Sequence, residues 1–224
     1  VTSENISVPS AQTYRYGASV SIDFTSIGTR AGYTFSGWNN GSITYTSAGT
    51  ASFNMGLADV TLSAVWTANT NTPYKIQYLF QNVNCDASAT PSLSDYVTDS
   101  DNYPIAMKYG TTGESPVVTP DSVTGFNLSS VNPMDSSITI NGDGSTVVNV
   151  YYDRIKKTVN YNANQTGVTA PASQTYLYGQ TVNLDFSIAD DKPGYSFNGW
   201  KDQSTNEVYT STSTLTMSTS NISL

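Results

Sequence analysis

The sequence predicts a mainly β fold, arranged as three small tandem modules in an elongated array. A long stretch of the chain occurs twice, apolar and polar residues alternate along many short segments, and Gly and Asn-Gly turn signals separate those segments. Alternation with a period of two is expected of a strand with one face in the core and one in solvent. No window has a convincing helical period, although residues 25–30 and 187–192 are compatible with a short helical turn.

The composition argues against several classes of partner. The 224 residues have a formal net charge of −8 and only nine Lys and Arg residues, so we predict no binding to nucleic acid or anionic membranes. No apolar run is long enough to span a bilayer, and we predict no membrane insertion. Cys85 is the single cysteine, which excludes an intramolecular disulfide. It is either an inert small residue or a thiol that is reactive or pairs with another chain.

An internal repeat defines the first and the last module. The segment "PSAQTYRYG" at 9–17 returns as "PASQTYLYG" at 171–179, a shift of 162 positions. With the same shift, "GYTFSGW" at 32–38 returns as "GYSFNGW" at 194–200. The copies lose register only after this heptapeptide, in one loop. Length variation confined to one loop is typical of a surface hairpin in a duplicated domain.

Each copy has the alternation of strands. Residues 20–24 ("VSIDF") and 182–186 ("VNLDF") place apolar side chains at every second position. Asn39-Asn40-Gly41 is a tight-turn signal after the first heptapeptide, and it predicts a hairpin that continues into a strand at 43–45.

The heptapeptide itself predicts a strand with an aromatic face. Tyr33 and Phe35 lie on one side of such a strand, and Gly37 allows a bulge that turns Trp38 to the same side. Because these aromatics recur with the scaffold, we interpret them as core rather than as a ligand platform, the alternative. The predicted core signature comprises Tyr33, Phe35, Trp38, Trp66, Tyr195, Phe197 and Trp200.

A third module separates the two copies. The polar residues 67–72 predict a linker, and a strand at 74–80 ("YKIQYLF") opens the module. A closing strand is predicted at 146–152 after a turn at 141–144, and it runs into the second copy through the short junction 153–157. Further short strands are expected around residues 108–113 and 125–126.

In the order and spacing of these motifs the outer copies resemble the Listeria–Bacteroides repeat, the B-repeat of internalin-type surface proteins. The matching pieces are a first strand at 158–162, a Tyr-Gly-x-x-Val strand at 16–20 and 178–182, the heptapeptide at 32–38 and 194–200, and a last strand ending in Trp at 61–66. The middle module resembles the mucin-binding-type modules of Gram-positive surface proteins through "YKIQYLF" and "VVNVYYDR". The resemblance implies β-grasp-like modules and an extracellular place on the bacterial cell surface or cell wall.

The predicted modules are residues 1–68, 72–154 and 156–224. By the repeat alignment, the first copy lacks the strand that opens the second, and the second lacks the strand that closes the first. A missing strand exposes a sheet edge, which a small domain tolerates badly. We therefore expect the native protein to continue in both directions; the alternative is a fibre in which neighbouring chains complete each other.

The sequence provides little for catalysis. It contains no histidine, the commonest general base, and Cys85 has no such partner to activate it. Carboxylates occur at 95, 99, 101 and 190–191. The turn at 141–144 resembles the start of a calcium loop but lacks its closing carboxylate ligand. We predict no enzymatic activity, no cofactor and no metal, while an isopeptide crosslink from Lys75, Lys108 or Lys157 stays open.

A structural spacer or stalk segment of a cell-surface protein is the function that fits these features. Its partners are the neighbouring modules of the same or an adjacent chain. The alternative is an adhesin that binds a host glycan or protein through the loop 82–104, with Tyr96 and Tyr103 as weak candidate ligand-binding residues. A self-assembling fibre subunit is a further alternative.

Overall fold

The structure is a computed structural model that describes residues 5–131, 133–187 and 194–224. This part of the chain forms short strands and one 3-10 turn, with no α-helix, which confirms the mainly β class. The β-grasp topology and the elongated arrangement remain predictions. Residues 25–30 form a turn followed by a strand rather than a helical turn, and most of the second candidate, 187–192, lies outside the described residues.

The first module contains three small antiparallel sheets. Its strands are β1 Asn5–Ile6, β2 Ser19–Ser21, β3 Gly28–Thr29, β4 Tyr33–Asn39, β5 Thr44–Tyr45, β6 Ser52–Asn54 and β7 Ser63–Ala68. β1 pairs with β3, β2 pairs with β6, and β4 lies between β5 and β7. The register of β4 against β7 shifts between Phe35 and Gly37, which confirms the bulge predicted from the glycine. Gly37 has a φ of 148°, a conformation that glycine reaches without a steric penalty.

The middle segment forms one five-stranded sheet. Its strands are β8 Thr72–Gln81, β9 Tyr96–Thr98, β10 Ala106–Gly110, β11 Phe126–Leu128 and β12 Val147–Arg154. They lie in the order β10–β8–β12–β11, and β9 also pairs with β8. The predicted linker at 67–72 is wrong, because β7 extends to Ala68 and β8 begins at Thr72. Only three residues, 69–71, connect these strands.

The last module is built around a strand with a partner on each side. Its strands are β13 Lys156–Asn160, β14 Gln174–Leu177, β15 Thr181–Val182, β16 Trp200–Lys201, β17 Val208–Tyr209, β18 Leu215–Thr216 and β19 Ile222–Ser223. β13 pairs antiparallel with β14 and parallel with β19. β15 pairs with β18, and β16 pairs with β17.

Contacts between residues divide the chain into two compact units. The first comprises Val1–Ile76, Ile105–Val118 and Ser136–Val148; the second comprises Gln77–Pro104, Thr119–Asp135 and Asn149–Leu224. Each unit therefore combines one outer module with part of the middle segment. The sequence-based module boundaries remain predictions, and the two junctions between modules each fall inside a single unit.

Candidate functional site

The two tryptophans of the repeated heptapeptide are buried scaffold residues. Trp38 and Trp200 are 5% and 3% exposed. Each indole Nε1–H donates to a main-chain carbonyl, at 2.8 Å to Asp23 O in the first module and at 2.7 Å to Asp185 O in the last. Equivalent hydrogen bonds in both copies, together with this burial, indicate that these indoles belong to the scaffold of each module.

The other aromatics of the heptapeptide are more exposed in the last module than in the first. In the first module Phe35 packs edge-to-face against Trp38 and Trp66, with ring centroids 5.4 Å apart in both pairs. In the last module Phe197 makes the same edge-to-face contact with Trp200, with centroids 5.0 Å apart, while Tyr195 and Phe197 are 69% and 45% exposed; the assignment of these two residues to the core stays a prediction. β7 pairs with the first heptapeptide, whereas residues 195–199 belong to no strand in the described part of the chain.

Tyr96 is a core residue, and its assignment as a candidate ligand-binding residue is corrected by the structure. It is 6% exposed and packs edge-to-face on Tyr151 with centroids 5.1 Å apart. Its hydroxyl donates to the Asp153 carboxylate and shares a hydrogen bond of 3.1 Å with Ser129 Oγ. Burial and the Asp153 contact raise the pKa of Tyr96 to about 12. A ring enclosed in this way cannot stack on a sugar.

Tyr103 and the loop 82–104 also belong to the packing of the second unit. Tyr103 is half-buried, with ring centroids 4.7 Å from Phe80 and 6.3 Å from Tyr78. A 3-10 turn at Leu93–Asp95 orders the middle of the loop, and Ser92 N–H donates to the Asp95 carboxylate at 2.7 Å. The loop therefore presents less aromatic surface than its sequence indicates.

The candidate chemical groups have structural partners. Asp99 accepts hydrogen bonds from Asn102, and Asp143 accepts from Ser145 N–H within the 141–144 turn. No group of His, Cys, Asp or Glu side chains in the described residues could hold a metal ion; Asp190 and Asp191 lie outside them. Burial raises the pKa of the Cys85 thiol, which disfavours the reactive thiolate.

The first junction, at residues 69–71, is fixed by one asparagine. The Asn69 N–H donates to Gly32 O at 2.9 Å, and its main-chain carbonyl accepts from Thr112 N–H at 3.0 Å. Its side-chain Oδ1 accepts from Thr34 Oγ1 at 2.8 Å. Asn69 thus joins strand β4 of the first module to the segment that follows β10, and the three connecting residues are not a free hinge.

The second junction is fixed by one half-buried cation. Arg154, the last residue of β12, donates from Nε to Gln81 O at 2.7 Å and from Nη1 to Tyr178 O at 2.8 Å. Its guanidinium lies 4.8 Å from the centroid of the Phe126 ring, and burial lowers its pKa. Phe126 also packs edge-to-face on Tyr178, with centroids 5.9 Å apart. A single cation thus joins the middle sheet to the last module.

Gln180 adds a second set of contacts at this junction. Its side-chain Nε2 donates to Val83 O and Cys85 O, both at 2.8 Å. Ile155, the one residue between β12 and β13, donates to Gly125 O at 3.0 Å and accepts from Tyr178 N–H at 2.9 Å. Neither Arg154 nor Gln180 was predicted as a functional residue. Two features of the sequence could have pointed to them: Arg154 is a charge at the end of an apolar strand, and Gln180 replaces Ala18 of the first copy.

Two family models match the chain at its ends. Residues 2–65 match the Listeria–Bacteroides repeat domain, and residues 157–224 match the divergent InlB B-repeat domain. These matches cover the two outer copies and leave the middle segment unmatched, so its mucin-binding-type resemblance remains a prediction. No curated protein and no solved structure gave a significant match. No helix in the described residues is long and apolar enough to cross a membrane.

Proposed function

We propose that this chain, whose two outer modules match repeat domains of the Listeria–Bacteroides and divergent InlB B-repeat types, is a spacer segment of a bacterial cell-surface protein. Repeats of this type occur in bacterial surface proteins. In this role the chain lies outside the cell and keeps a functional region at a distance from the wall. Its own contribution is mechanical, and its partners are the modules next to it.

The fixation of the junctions is the observation that carries this proposal. A spacer needs joints that resist bending, because a flexible linker lets the attached region fall back toward the surface. Asn69 uses its main chain and side chain at the first joint, and Arg154 and Gln180 bridge the second. Arg154 is suited to this task, since a planar guanidinium can bind two carbonyls and stack on a ring at once.

Small-angle X-ray scattering on the 224-residue chain tests the spacer role. A compact globule of this length has a radius of gyration of about 17 Å. We expect a value well above this one and a distance distribution with a long tail. A radius close to that of the compact globule would contradict a spacer.

A matched pair of variants tests whether the second joint is stiff. The double variant Arg154→Ala, Gln180→Ala removes four side-chain hydrogen bonds to main-chain carbonyls at the joint. We expect faster and wider motion of the last module, measured by backbone ¹⁵N relaxation as a lower order parameter at residue 155. The control is Arg15→Ala, which removes an exposed arginine. If the double variant relaxes like the wild type, these contacts do not stiffen the joint.

A further inference from the structure

Three asparagines of the chain directly precede a glycine. They are Asn40, Asn141 and Asn198, followed by Gly41, Gly142 and Gly199. In such a pair the glycine nitrogen can attack the side-chain carboxamide of the asparagine, because glycine has no Cβ to hinder the approach. The three dipeptides are identical in sequence, so differences in their reactivity in the native chain come from the fold.

The reaction is the loss of ammonia from the asparagine side chain. The glycine N–H gives its proton to hydroxide, the nitrogen forms a bond to Cγ, and the Cγ–Nδ2 bond breaks as the leaving ammonia takes a proton from water. Water then opens the resulting succinimide ring. Opening at Cγ leaves aspartate, whereas opening at the main-chain carbonyl carbon leaves isoaspartate, whose main chain is longer by one carbon. Either product carries a new negative charge at neutral pH.

Asn40 is held in a way that opposes this reaction. Its Oδ1 accepts from the main-chain N–H groups of residues 42–43, at 3.0 and 2.8 Å, and its Nδ2 donates to Tyr45 Oη at 3.1 Å. The Gly41 N–H donates to Asn39 Oδ1 at 2.6 Å. Both reacting groups are therefore engaged, and these hydrogen bonds have to break before the nitrogen can attack.

Asn141 lacks this protection. Its exposed carboxamide makes one hydrogen bond, from Nδ2 to Ser145 Oγ at 3.3 Å. Within the described residues, neither its Oδ1 nor the Gly142 N–H has a hydrogen-bond partner. The surrounding turn is nevertheless ordered, since Asn141 N–H donates to Thr146 Oγ1 at 2.8 Å and its carbonyl accepts from Gly144 N–H at 3.0 Å. The attacking nitrogen and the carboxamide are thus free to meet.

Asn198 provides a comparison with an open site. Its side chain is exposed, and neither this side chain nor the Gly199 N–H makes a hydrogen bond in the part of the chain that the structure describes. Its counterpart in the first copy is Ser36, so this dipeptide occurs in one copy of the repeat. Asn198 therefore reports the rate of an Asn-Gly pair that hydrogen bonds do not protect.

Gly142 packs against the first junction. A Cβ added to it would lie 2.0 Å from Ala31 O, and a Cβ added to Gly32 would lie 2.2 Å from Gly142 Cα. The same Cβ on Gly32 would lie 2.5 Å from Thr112 Oγ1. Gly32 and Thr112 are the two main-chain partners of Asn69, and all of these residues belong to the first unit. The two glycine backbones touch without room for one more atom between them.

An additional main-chain carbon at position 141 therefore acts on the junction. Ile140, on one side of it, cannot move to absorb the added length, because its side chain is 2% exposed. Its N–H also donates to Glu114 O and its carbonyl accepts from Gly113 N–H, both at 2.9 Å. The displacement falls on Gly142, on the other side, and on its contact with the first junction.

We propose that Asn141 is a site of spontaneous deamidation and that its isoaspartate product loosens the first junction. The joint thereby carries a slow chemical change that follows the age of the chain and requires only water. The site follows from the free carboxamide and the free Gly142 N–H, and its effect follows from the close approach of Gly142 to the junction.

The test of the site is peptide mapping by mass spectrometry of the native 224-residue chain after ageing at mildly alkaline pH. Deamidation raises the mass of a peptide by about 1 Da. We expect Asn141 and Asn198 to convert at least about tenfold faster than Asn40, the factor that corresponds to one or two hydrogen bonds that must break first. In urea, which removes the fold, the three sites should convert within about threefold of one another.

The test of the effect is amide hydrogen exchange at Asn69 and Thr112. In the aged chain these amides should exchange at least about tenfold faster than in the fresh chain, because the hydrogen bonds of the junction open more often. The matched control is Asn141→Gln, which keeps a neutral carboxamide at an exposed position but forms the larger cyclic imide far more slowly. Aged alongside, this variant still converts at Asn198, and its junction amides should exchange as in the fresh chain.

Each unfavourable outcome has a definite meaning. Native conversion at Asn141 that is no faster than at Asn40 would overturn the site, as would an Asn198 that resists as Asn40 does. Unchanged exchange at Asn69 after full conversion, or equal loosening of the aged Asn141→Gln chain, would overturn the effect on the junction. None of these measurements depends on the overall dimensions of the chain or on the second junction, so this proposal and the spacer role can fail separately.

Discussion

Replacing Gly37 by alanine should destabilise the first module by about 3 kcal/mol. The φ of Gly37 is 148°, and an added Cβ would lie 2.1 Å from Tyr45 O. Carbon–oxygen contacts at Cβ stay above 3.0 Å, so the backbones of β4 and β5 would have to separate by roughly 1 Å. Left-handed strain of about 1–2 kcal/mol adds to an overpacking cost of about 1–3 kcal/mol.

Two further glycines serve as comparisons for this prediction. Gly41 has a φ of 96° with no atom within 4 Å of an added Cβ, so Gly41→Ala should cost only the strain of about 1 kcal/mol. Gly199 is the counterpart of Gly37, with an added Cβ at 2.3 Å from Tyr209 O, and Gly199→Ala should weaken the last module as Gly37→Ala weakens the first. The assay is urea unfolding followed by tryptophan fluorescence. Equal midpoints for Gly37→Ala and Gly41→Ala would refute the steric argument.

Three other perturbations follow from burial. Val159→Ala should lower the free energy of unfolding by about 2 kcal/mol, because the side chain is fully buried, while Val8→Ala, at a position 68% exposed, should change it by less than about 0.5 kcal/mol; urea midpoints decide. Burial raises the pKa values of Tyr96 and Tyr152 from 10.0 to about 12, so the stability they contribute is complete below pH 10 and is lost as the pH rises toward 12. If all the tyrosines, Tyr96 and Tyr152 included, ionised near pH 10 with no loss of structure, this assignment would be contradicted. Because burial raises its thiol pKa, Cys85 should react more slowly with a disulfide reagent in the native chain than in urea, and equal rates would show that it is accessible.

The local elements of the fold were predictable from the sequence. Alternation identified β4, β8 and β12, and a glycine inside an aromatic strand identified the bulge at Gly37. Turn chemistry placed the break between β4 and β5. These features are encoded by residues within a few positions of each other, and local geometry is what a period or a turn motif reports.

Long-range burial was not predictable in the same way. Tyr96 lies in an irregular stretch rich in Asp and Ser, and nothing nearby indicates that Asp153 and Ser129 enclose its hydroxyl. The polar segment 67–72 has the composition of a linker. Asn69 nevertheless orders that segment through main-chain hydrogen bonds to Gly32 and Thr112. Both partners are distant in sequence, so the composition of the segment does not indicate them. Exposure depends on what packs against a residue, and that information is spread over the whole chain.

The two copies of the repeat separate residues that build the module from residues that join modules. Trp38 and Trp200 make the same buried hydrogen bond in both copies, so their role belongs to the fold. Tyr178, by contrast, packs on Phe126 and accepts a hydrogen bond from Arg154, whereas its counterpart Tyr16 is 74% exposed. Tyr178 is thus a joint residue, because the second copy follows the middle sheet. Gln180 stands where the first copy has Ala18, and its side chain donates across the junction to Val83 O. A residue that differs between the two copies and makes a contact across a junction therefore marks a joint. The two copies within this one chain are enough for the comparison.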